Sequence, residues 1–380
     1  MRVEREKLGD WFIYGREVAW KYSLTSVGRP AARFSDLGVT IDGGMSLDWG
    51  GHYFGPPALK QRLVASQGYD LRPEQLFLAN GTYEANYVAV MALVEKGDEV
   101  VLEAPAWTQV GVLCRAIGAS VKVLRLREEN AWKPDPDELR RLVTDRTKLV
   151  FINHPNNPTG SVLSNDDMDA IVAVARRHGT YLLSDEIYRG LEWDGPISPS
   201  AVNAYERGIV TSSLTKTLGM CGLRLGWVGS RDKDFLDRAF ALHRYGVMVN
   251  DVFGEQLGAA ALEPATWERL LAEGKQIGRR NRQLVVDWMA RNSLFRWVVP
   301  GGAFTSFPRF ELPVSSWDLC RTLIGEPYGT YLVPGVCYGD EFDNHVRLGF
   351  GAETPKVQAG LAQLEVFARE ASRREPALSR

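Results

Sequence analysis

The chain has 380 residues, of which 45% are hydrophobic and 24% charged, and its formal net charge is −2. This length exceeds the size at which one hydrophobic core usually stops growing, so a large domain and a smaller one are expected. The balanced charge, without a polybasic run or a long apolar run, indicates a cytoplasmic protein with no nucleic-acid or membrane partner. The four cysteines and five histidines show no metal-ligand spacing, so no metal site is predicted.

The middle of the chain alternates between short apolar runs and helical patterns. Such alternation is typical of an α/β fold, in which crossover helices wrap a mostly parallel central sheet. The strands are predicted at 76–79, 99–103, 149–152, 181–184 and 209–212, with helices at 84–95, at 107–117 and between Ser164 and Gly179.

The C-terminal part of the chain has a different pattern. A basic helix at 275–292, a glycine hairpin at 299–304, short strands and a final helix predict a smaller α+β domain. We therefore predict a large domain over 45–275 and a small domain made of 1–44 and 276–380.

Polar clusters follow the predicted strands at the point where each strand ends. Ligands of such sheets bind beyond the carboxyl ends of the strands, so these clusters are the candidate functional segments. They are NGT at 80–82, PAW at 105–107, NHPNNPTG at 153–160, DEIY at 185–188 and SLTK at 213–216.

One of these segments, the run TSSLTKTLGMCGLRLGW at 211–227, carries Ser213, Lys216 and Arg224 in an apolar, glycine-rich setting. An amine attacks carbonyl groups when burial or nearby cations lower its pKa, and a guanidinium can supply both such a field and a fork for phosphate. The run therefore predicts a covalent anchor for pyridoxal phosphate at Lys216. The competing interpretation is an ordinary surface lysine in an amphipathic loop.

Two further segments supply partners for the ring of such a cofactor. A carboxylate that ends an apolar strand, as Asp185 does, needs a cationic partner, and a protonated pyridine nitrogen would be one. Tyr188 and the amide of Asn157 can donate hydrogen bonds to a phenolic ring oxygen. The alternatives are a helix N-cap for Asp185 and a plain turn for the segment around Asn157.

Anion-binding groups complete the predicted site. Gly81, Thr82 and Tyr83 lie between a strand and a helix, where backbone N–H groups converge on an anion. Trp107 follows the next strand and could stack on a ring, although a core position is the alternative. Arg347 lies in a short apolar strand, where it predicts either a bidentate contact with a substrate carboxylate or a structural salt bridge.

Together these segments resemble the fold-type I pyridoxal phosphate enzymes, and specifically the class I/II aminotransferases. The resemblance covers nearly the whole chain and rests on motifs that occur in the same order: GRP, NGTYEA, PAW, NNPTG, SDEIY, SLTKTLGMCGLRLGW, PGGAF, VPGVCYG and VRLGFG. It implies pyridoxal 5′-phosphate as cofactor, transfer of an α-amino group from an amino acid to a 2-oxo acid, and a homodimer.

The resemblance also implies a role for each candidate residue. Lys216, Asp185 and Tyr188 would be catalytic: Lys216 forms the Schiff base, Asp185 pairs with the pyridine nitrogen, and Tyr188 bonds the ring oxygen together with Asn157. The phosphate would be held by Gly81, Thr82, Tyr83, Ser213 and Arg224, with Trp107 stacked on the ring. The substrate carboxylate would be bound by Arg347, Asn157 and Gly28.

Some positions depart from the family pattern. Gly51 stands where the family often has a tyrosine that reaches the partner's phosphate, which leaves Tyr53 as a nearby candidate. Thr305 replaces a common aromatic residue of the substrate pocket. These departures make the substrate the least transferable part of the resemblance.

The chain also resembles the capreomycidine synthase subgroup in its opening segment and around GGAFTSFPRF at 301–310. This leaves open an elimination, cyclisation or oxidation of an arginine-like amino acid in natural-product biosynthesis. Glu17 or Asp36 could select the basic side chain, although a solvated surface position is the favoured alternative for both. A cofactor-binding regulator of transcription is disfavoured, because the first forty residues are too few and not basic enough for a DNA-binding module.

Overall fold

The computed structural model describes residues 3–39, 44, 46, 48 and 51–373. The predicted domain boundary between residues 44 and 45 touches residues outside this set, and the division into two domains stays a prediction. Among the residues described, no helix combines the length and the apolar character that a membrane crossing needs.

The secondary structure follows the predicted alternation. The helices are α1 Lys7–Glu17, α2 Pro57–Gln67, α3 Gly81–Leu93, α4 Gln109–Ile117, α5 Pro136–Leu142, α6 Asn165–His178, α7 Ala201–Ala204, α8 Leu214–Thr217, α9 Lys233–Gly246, α10 Val252–Ala261, α11 Pro264–Ala290, α12 Ser316–Ile324 and α13 Thr354–Ala371. The strands are β1 Tyr22–Ser23, β2 Leu76–Asn80, β3 Glu99–Ala104, β4 Ser120–Arg125, β5 Thr147–Asn153, β6 Tyr181–Asp185, β7 Gly208–Ser213, β8 Leu225–Ser230, β9 Phe295–Arg296, β10 Thr305–Ser306, β11 Arg309–Phe310, β12 Thr330–Tyr331, β13 Val333–Pro334 and β14 Val346–Gly349.

A seven-stranded sheet forms the centre of the molecule, with the strand order β2-β8-β7-β6-β5-β3-β4. Five of its strands, β4, β3, β5, β6 and β7, pair in parallel. The sequence predicts this for β3, β5, β6 and β7, whereas β4 was not among the predicted strands. The exception is β8, which runs antiparallel to both β7 and β2. The sheet is therefore mostly parallel, and the carboxyl ends of its parallel strands lie on one edge.

Both faces of the sheet are buried, which explains why its strands are continuously apolar. On β5, Phe151 packs into the core shared with α3, α4 and α9, whereas Val150 and Ile152 pack into the core shared with α6. Local signals fix the helix ends: Ser164 caps α6, and Gly179 ends it in the left-handed conformation at φ 64°. The predicted limits of α6 are thus confirmed.

Two predicted elements differ from the structure. α3 starts at Gly81, three residues before the predicted position 84, so the helix follows the strand directly. The predicted glycine hairpin at 299–304 does not form, because β9 pairs with β11 and Gly302 instead forms a bridge with Glu192. The backbone N–H groups of Gly301 and Gly302 both donate to the carbonyl of Gly160, so this segment packs against the sheet edge.

The N-terminal segment packs onto the C-terminal part of the chain. Leu8, Trp11 and Leu24 share one hydrophobic core with residues of α11, α12 and α13. The strand β1 also pairs in parallel with β12, about 300 residues later in the sequence. Both ends of the chain are thereby brought to the edge of the central sheet, where the predicted site lies.

Candidate active site

A cavity of about 500 Å³ opens at the carboxyl ends of the parallel strands. Ten predicted site residues line it: Thr82, Tyr83, Trp107, Asn157, Asp185, Tyr188, Ser213, Lys216, Arg224 and Arg347. The other two are glycines that pack directly behind this lining. A Cβ atom on Gly28 would lie 3.1 Å from the Cα of Lys216, and one on Gly81 would lie 2.4 Å from Nη2 of Arg224. The predicted residues are therefore all brought together at one place.

Lys216 lies on the single turn of α8, directly after β7. Ser213 caps that turn by accepting a hydrogen bond from the N–H of Thr215 at 3.4 Å. Burial is the largest cause that lowers the pKa of the Lys216 ammonium, and Arg347 and Arg224 lower it further, whereas Cys221 and Asp185 act in the opposite direction. An amine in such surroundings is more often neutral and thus a better nucleophile toward carbonyl groups.

The start of α3 and Arg224 form a pocket for an anion. Gly81 has a φ of +75° and Arg224 one of +51°, so both adopt left-handed backbone conformations that hold them face to face. The guanidinium is fixed by donating to the carbonyl oxygens of Asn80 at 3.0 Å and Cys221 at 3.2 Å. Beside it, the buried hydroxyl of Thr82 has no hydrogen-bond partner. This buried, unsatisfied donor and the fixed cation suit a phosphate group.

Asp185 is the acidic group at the bottom of the cavity, with 2% of its surface exposed. Burial raises its pKa to about 6, although it accepts hydrogen bonds from Nδ2 of Asn86 at 2.9 Å and from the N–H of Ile187 at 3.2 Å. Asn86 in turn accepts from the hydroxyl of Thr211 at 2.6 Å. Sequence reasoning missed Asn86, which lies one helical turn after Thr82 on the same face of α3.

Arg347 is 1% exposed, and no acidic side chain of the described residues lies within 4.0 Å of it. Its guanidinium donates to the hydroxyl of Tyr338 at 3.0 Å, to Oδ1 of Asn157 at 3.3 Å and to the carbonyl of Thr25 at 3.2 Å. Its Nε is buried without a partner. An arginine so fixed by neutral groups keeps its charge available for an anion in the cavity. Tyr338 was not singled out in the sequence.

A second layer of polar side chains lies under the cavity, centred on the buried carboxylate of Glu103. It accepts hydrogen bonds from the N–H of Asn153 at 2.6 Å, from Nε2 of His154 at 2.9 Å and from Nδ2 of Asn156 at 3.2 Å. Asn153 also donates to the backbone carbonyl of Asp185 at 2.9 Å. Glu103 thus holds the loop after β5 against the end of β3, and Asn153 links that loop to the end of β6. The only sequence signal for it is an acid within the apolar run of β3.

The aromatic candidates form the side walls. Trp107 lies against Tyr83 with an edge-to-face geometry, 5.7 Å between ring centroids, and Gln109 fixes this corner by donating to the carbonyl of Tyr83 at 2.7 Å. Tyr188 is 2% exposed and has its ring in the hydrophobic core while its side chain reaches the cavity. The wall formed by Trp107 is flat enough to take a stacked ring.

Thr305, Glu17 and Asp36, which were named as pocket candidates, do not line the cavity of this chain, and neither does Tyr53, whose suggested role at the partner's phosphate stays a prediction. Tyr53 packs its ring under the guanidinium of Arg244, 5.2 Å from the ring centroid, and Thr305 is buried and donates to the carbonyl of Pro158 at 3.0 Å. Glu17 is exposed at the end of α1, and Asp36 accepts a hydrogen bond from the N–H of Arg33 at 2.8 Å. The described residues contain no group of three or more His, Cys, Asp or Glu side chains that could hold a metal ion.

Comparison with known proteins gives the family. The sequence profile of the family "Aminotransferase class I and II" matches residues 44–363. The chain is 32% identical to capreomycidine synthase of Streptomyces vinaceus over 314 residues, which are 82% of this chain and 79% of that protein. It is 28% identical to an aspartate aminotransferase of Pyrococcus horikoshii over 329 residues, 84% of each chain.

The fold leads to the same family. A crystal structure of a pyridoxal phosphate-dependent aminotransferase from Streptococcus suis superposes with a TM-score of 0.91, at 30% identity, and the match covers 99% of this chain and 100% of that one. The predicted fold class, enzyme class and cofactor are thus confirmed. The chain belongs to the class I and II aminotransferase family and is a fold-type I enzyme that depends on pyridoxal 5′-phosphate.

Proposed function

We propose that this chain transfers the α-amino group of an amino acid to a 2-oxo acid, with pyridoxal phosphate held in the cavity at Lys216. The observation that carries the proposal is the position of the Lys216 amine. It lies in one cavity with a fixed cation at each side, Arg224 and Arg347, and with the buried carboxylate of Asp185. This arrangement matches the phosphate, the substrate carboxylate and the ring nitrogen that must be bound together.

The residues present fit the cofactor. The unsatisfied hydroxyl of Thr82, the start of α3 and the guanidinium of Arg224 would hold the phosphate, with Ser213 beside them. Asp185 would pair with the protonated pyridine nitrogen, which supplies the cation that a buried carboxylate needs. The amide nitrogen of Asn157 and the hydroxyl of Tyr188 would donate to the ring oxygen. When bound, the cofactor supplies an electrophilic carbon and an electron-withdrawing ring.

The protein's own contribution is to bind, orient and move a proton. Arg347 would bind the substrate carboxylate through its fork and thereby set the direction of the bond from the α-carbon to its hydrogen. The free Nζ of Lys216 would accept the α-proton, because its lowered pKa favours the neutral amine that can take up a proton. Asn157 contacts Arg347 at 3.3 Å and would couple substrate binding to the cofactor ring.

A Lys216→Ala variant tests this proposal. We expect it to bind the cofactor without a covalent bond and to lose its activity, because no amine is left to accept the α-proton. Lys233→Ala is the matched control, since Lys233 is an exposed lysine of α9 paired with Asp237. Absorbance spectra and turnover of amino acids with a 2-oxo acid acceptor are the measurements. Undiminished turnover by Lys216→Ala would reject the proposal.

The second candidate function is elimination or cyclisation of an arginine-like amino acid. It is favoured by the 32% identity to capreomycidine synthase. Such a reaction needs no 2-oxo acid, whereas amino-group transfer stops after its first half-reaction without one. A panel of amino acids that includes arginine and its hydroxylated forms, incubated with and without 2-oxo acids and analysed by mass spectrometry, separates the two. An arginine-derived product formed without acceptor would favour the second function.

We further propose that the enzyme is a homodimer. Aromatic and apolar side chains are exposed on α3, around the end of α9 and at the start of α10: Tyr83 at 52%, Tyr87 at 38%, Tyr245 at 94%, Met248 at 55% and Phe253 at 40%. A second copy would cover such a surface. Light scattering at micromolar concentration should give twice the chain mass of 42.4 kDa.

We also propose a cytoplasmic location. It is supported by the four cysteines, which are all unpaired thiols.

A further inference from the structure

We propose that Arg16 of α1 selects substrates whose side chain ends in a carboxylate, so that the enzyme acts on short dicarboxylic amino acids and their 2-oxo acids. This inference rests on the proposed function. It follows from the charged side chains that line the cavity, which are Arg16, Asp185, Lys216, Arg224 and Arg347. All except Arg16 are already assigned to the cofactor or to the α-carboxylate.

The position of Arg16 is fixed by the packing of α1. Leu8 and Trp11 are fully buried, and the indole N–H of Trp11 donates to the carbonyl of Leu332 at 2.7 Å. This anchors α1 with Phe12 and Arg16 both lining the cavity. Being four residues apart, the two side chains share one face of the helix.

The position of Phe12 shows where Arg16 lies relative to the site proposed for the α-carboxylate. The guanidinium carbon of Arg347 lies 5.6 Å from the centroid of the Phe12 ring, so that ring covers the arginine proposed to bind the α-carboxylate. Arg16 follows one helical turn later, where neighbouring Cβ atoms are about 5–6 Å apart. A substrate held at Arg347 would therefore present the end of a short side chain to Arg16.

The charge of Arg16 is free for a ligand. Within the described residues no carboxylate lies within 4.0 Å of it, whereas two other cations of the same segment are paired, Arg5 with Asp10 and Lys7 with Asp340. A cation placed only to stabilise the end of α1 would not need to line the cavity.

Among the described residues, the cavity lining offers no free carboxylate for a basic side chain. The one acidic residue of its described lining is Asp185, and the cofactor nitrogen would take that charge. Glu17 and Asp36, the acids that the sequence suggested for an arginine-like substrate, lie outside the lining. A guanidinium would instead meet the like charge of Arg16, so the cavity disfavours the substrates expected for a capreomycidine synthase-like reaction.

The experiment compares isosteric substrates on the holoenzyme. Glutamate and glutamine differ mainly in the charge at the end of the side chain, and conversion of the bound cofactor can be followed by absorbance without any acceptor. We expect kcat/KM for glutamate or aspartate to exceed that for glutamine, leucine and arginine. Arg16→Gln should lower kcat/KM for glutamate by about 10- to 100-fold, the range for losing a charge-assisted hydrogen bond, and change glutamine by less than about threefold.

Two further variants test whether the substrate preference depends on the charge and the position of Arg16. Arg16→Lys should restore part of the activity on glutamate, and Arg5→Gln, which removes an arginine of the same segment outside the cavity, should leave the substrate preference unchanged. Equal cofactor absorbance in all variants shows that they fold. If the wild type converts glutamine or arginine better than glutamate, or if Arg16→Gln does not alter the ratio, this inference is wrong while the proposed function stands. If no amino acid converts the cofactor, the proposed function fails and the inference with it.

Discussion

Replacing Asp185 by asparagine should change the stability of the cofactor-free protein in a pH-dependent way. The carboxyl group is 2% exposed, and burial raises its pKa from 3.8 to about 6. The ionised carboxylate is therefore less favourable in the folded cofactor-free protein than in the unfolded chain. A difference of about 2 pKa units corresponds to about 3 kcal/mol of unfolding free energy.

The direction of the pH effect on the free energy of unfolding follows from which state, folded or unfolded, keeps the Asp185 proton. Between about pH 4 and pH 6 the folded state keeps the Asp185 proton that the unfolded chain has released, so the free energy of unfolding falls as the pH rises. This fall in the free energy of unfolding is complete above about pH 6. Asparagine does not titrate, so the wild type should lose about 3 kcal/mol relative to Asp185→Asn over this window. The substitution also removes one acceptor for Asn86 or Ile187, which costs the same at every pH.

Urea unfolding of both cofactor-free proteins at several values between pH 4 and pH 7.5 provides the measurement. Taking the difference between wild type and variant cancels the titration of Glu186, whose pKa burial raises to about 7. A difference that stays constant with pH would refute the reasoning. With cofactor present the wild type should be the more stable of the two proteins, because only the wild type offers a negative charge to the ring nitrogen. The kcat of Asp185→Asn should fall by about 100- to 1,000-fold.

Three other substitutions test the two ends of the cavity. Gly81→Ala would place a Cβ atom 2.4 Å from Nη2 of Arg224 at a φ of +75°, so fluorescence titration should show at least about tenfold weaker cofactor binding. Arg347→Lys loses the bidentate fork, and steady-state kinetics should give a kcat/KM about 10- to 100-fold lower, with the cofactor spectrum unchanged. Tyr338→Phe removes only the hydroxyl that accepts from Arg347 at 3.0 Å, and KM for amino acids should rise by about three- to tenfold. A rise in KM for Tyr338→Phe as large as that for Arg347→Lys would contradict the assigned geometry.

The central part of the site could be predicted because its signals are local. Asp185 ends the strand β6, and Lys216 and Asn157 lie in the segments that follow β7 and β5. The rule that ligands bind at the carboxyl ends of parallel strands therefore places them together without knowledge of any contact. Helix limits such as those of α6 are equally local, since Ser164 and Gly179 act within one turn. The strand β8 was not predicted, because it continues the same glycine-rich apolar run that carries Lys216, and its antiparallel direction depends on pairing with β7 and β2.

The residues that were missed act through contacts distant in sequence. Asn86 is 99 residues from Asp185, and Glu103 is about 50 residues from the loop it holds. A buried polar residue in a helix or strand has no sequence signature of its own, since its partner determines whether it is satisfied. The failed hairpin at 299–304 has the same cause: its N–H groups are bonded to Gly160, far outside the local pattern.

The substrate side of the cavity depends on the ends of the chain, and this explains why it was the hardest part to predict. Pairing of β1 with β12 and burial of Trp11 against the C-terminal core bring α1 across the cavity, where Phe12 covers Arg347. The cofactor side is formed by strands whose spacing hardly depends on the rest of the chain. Because α1 is joined to that frame only by packing, its side chains can change without disturbing the cofactor contacts. Substitutions on α1 are therefore expected to change the substrate preference of this enzyme, and Arg16 is the first to test.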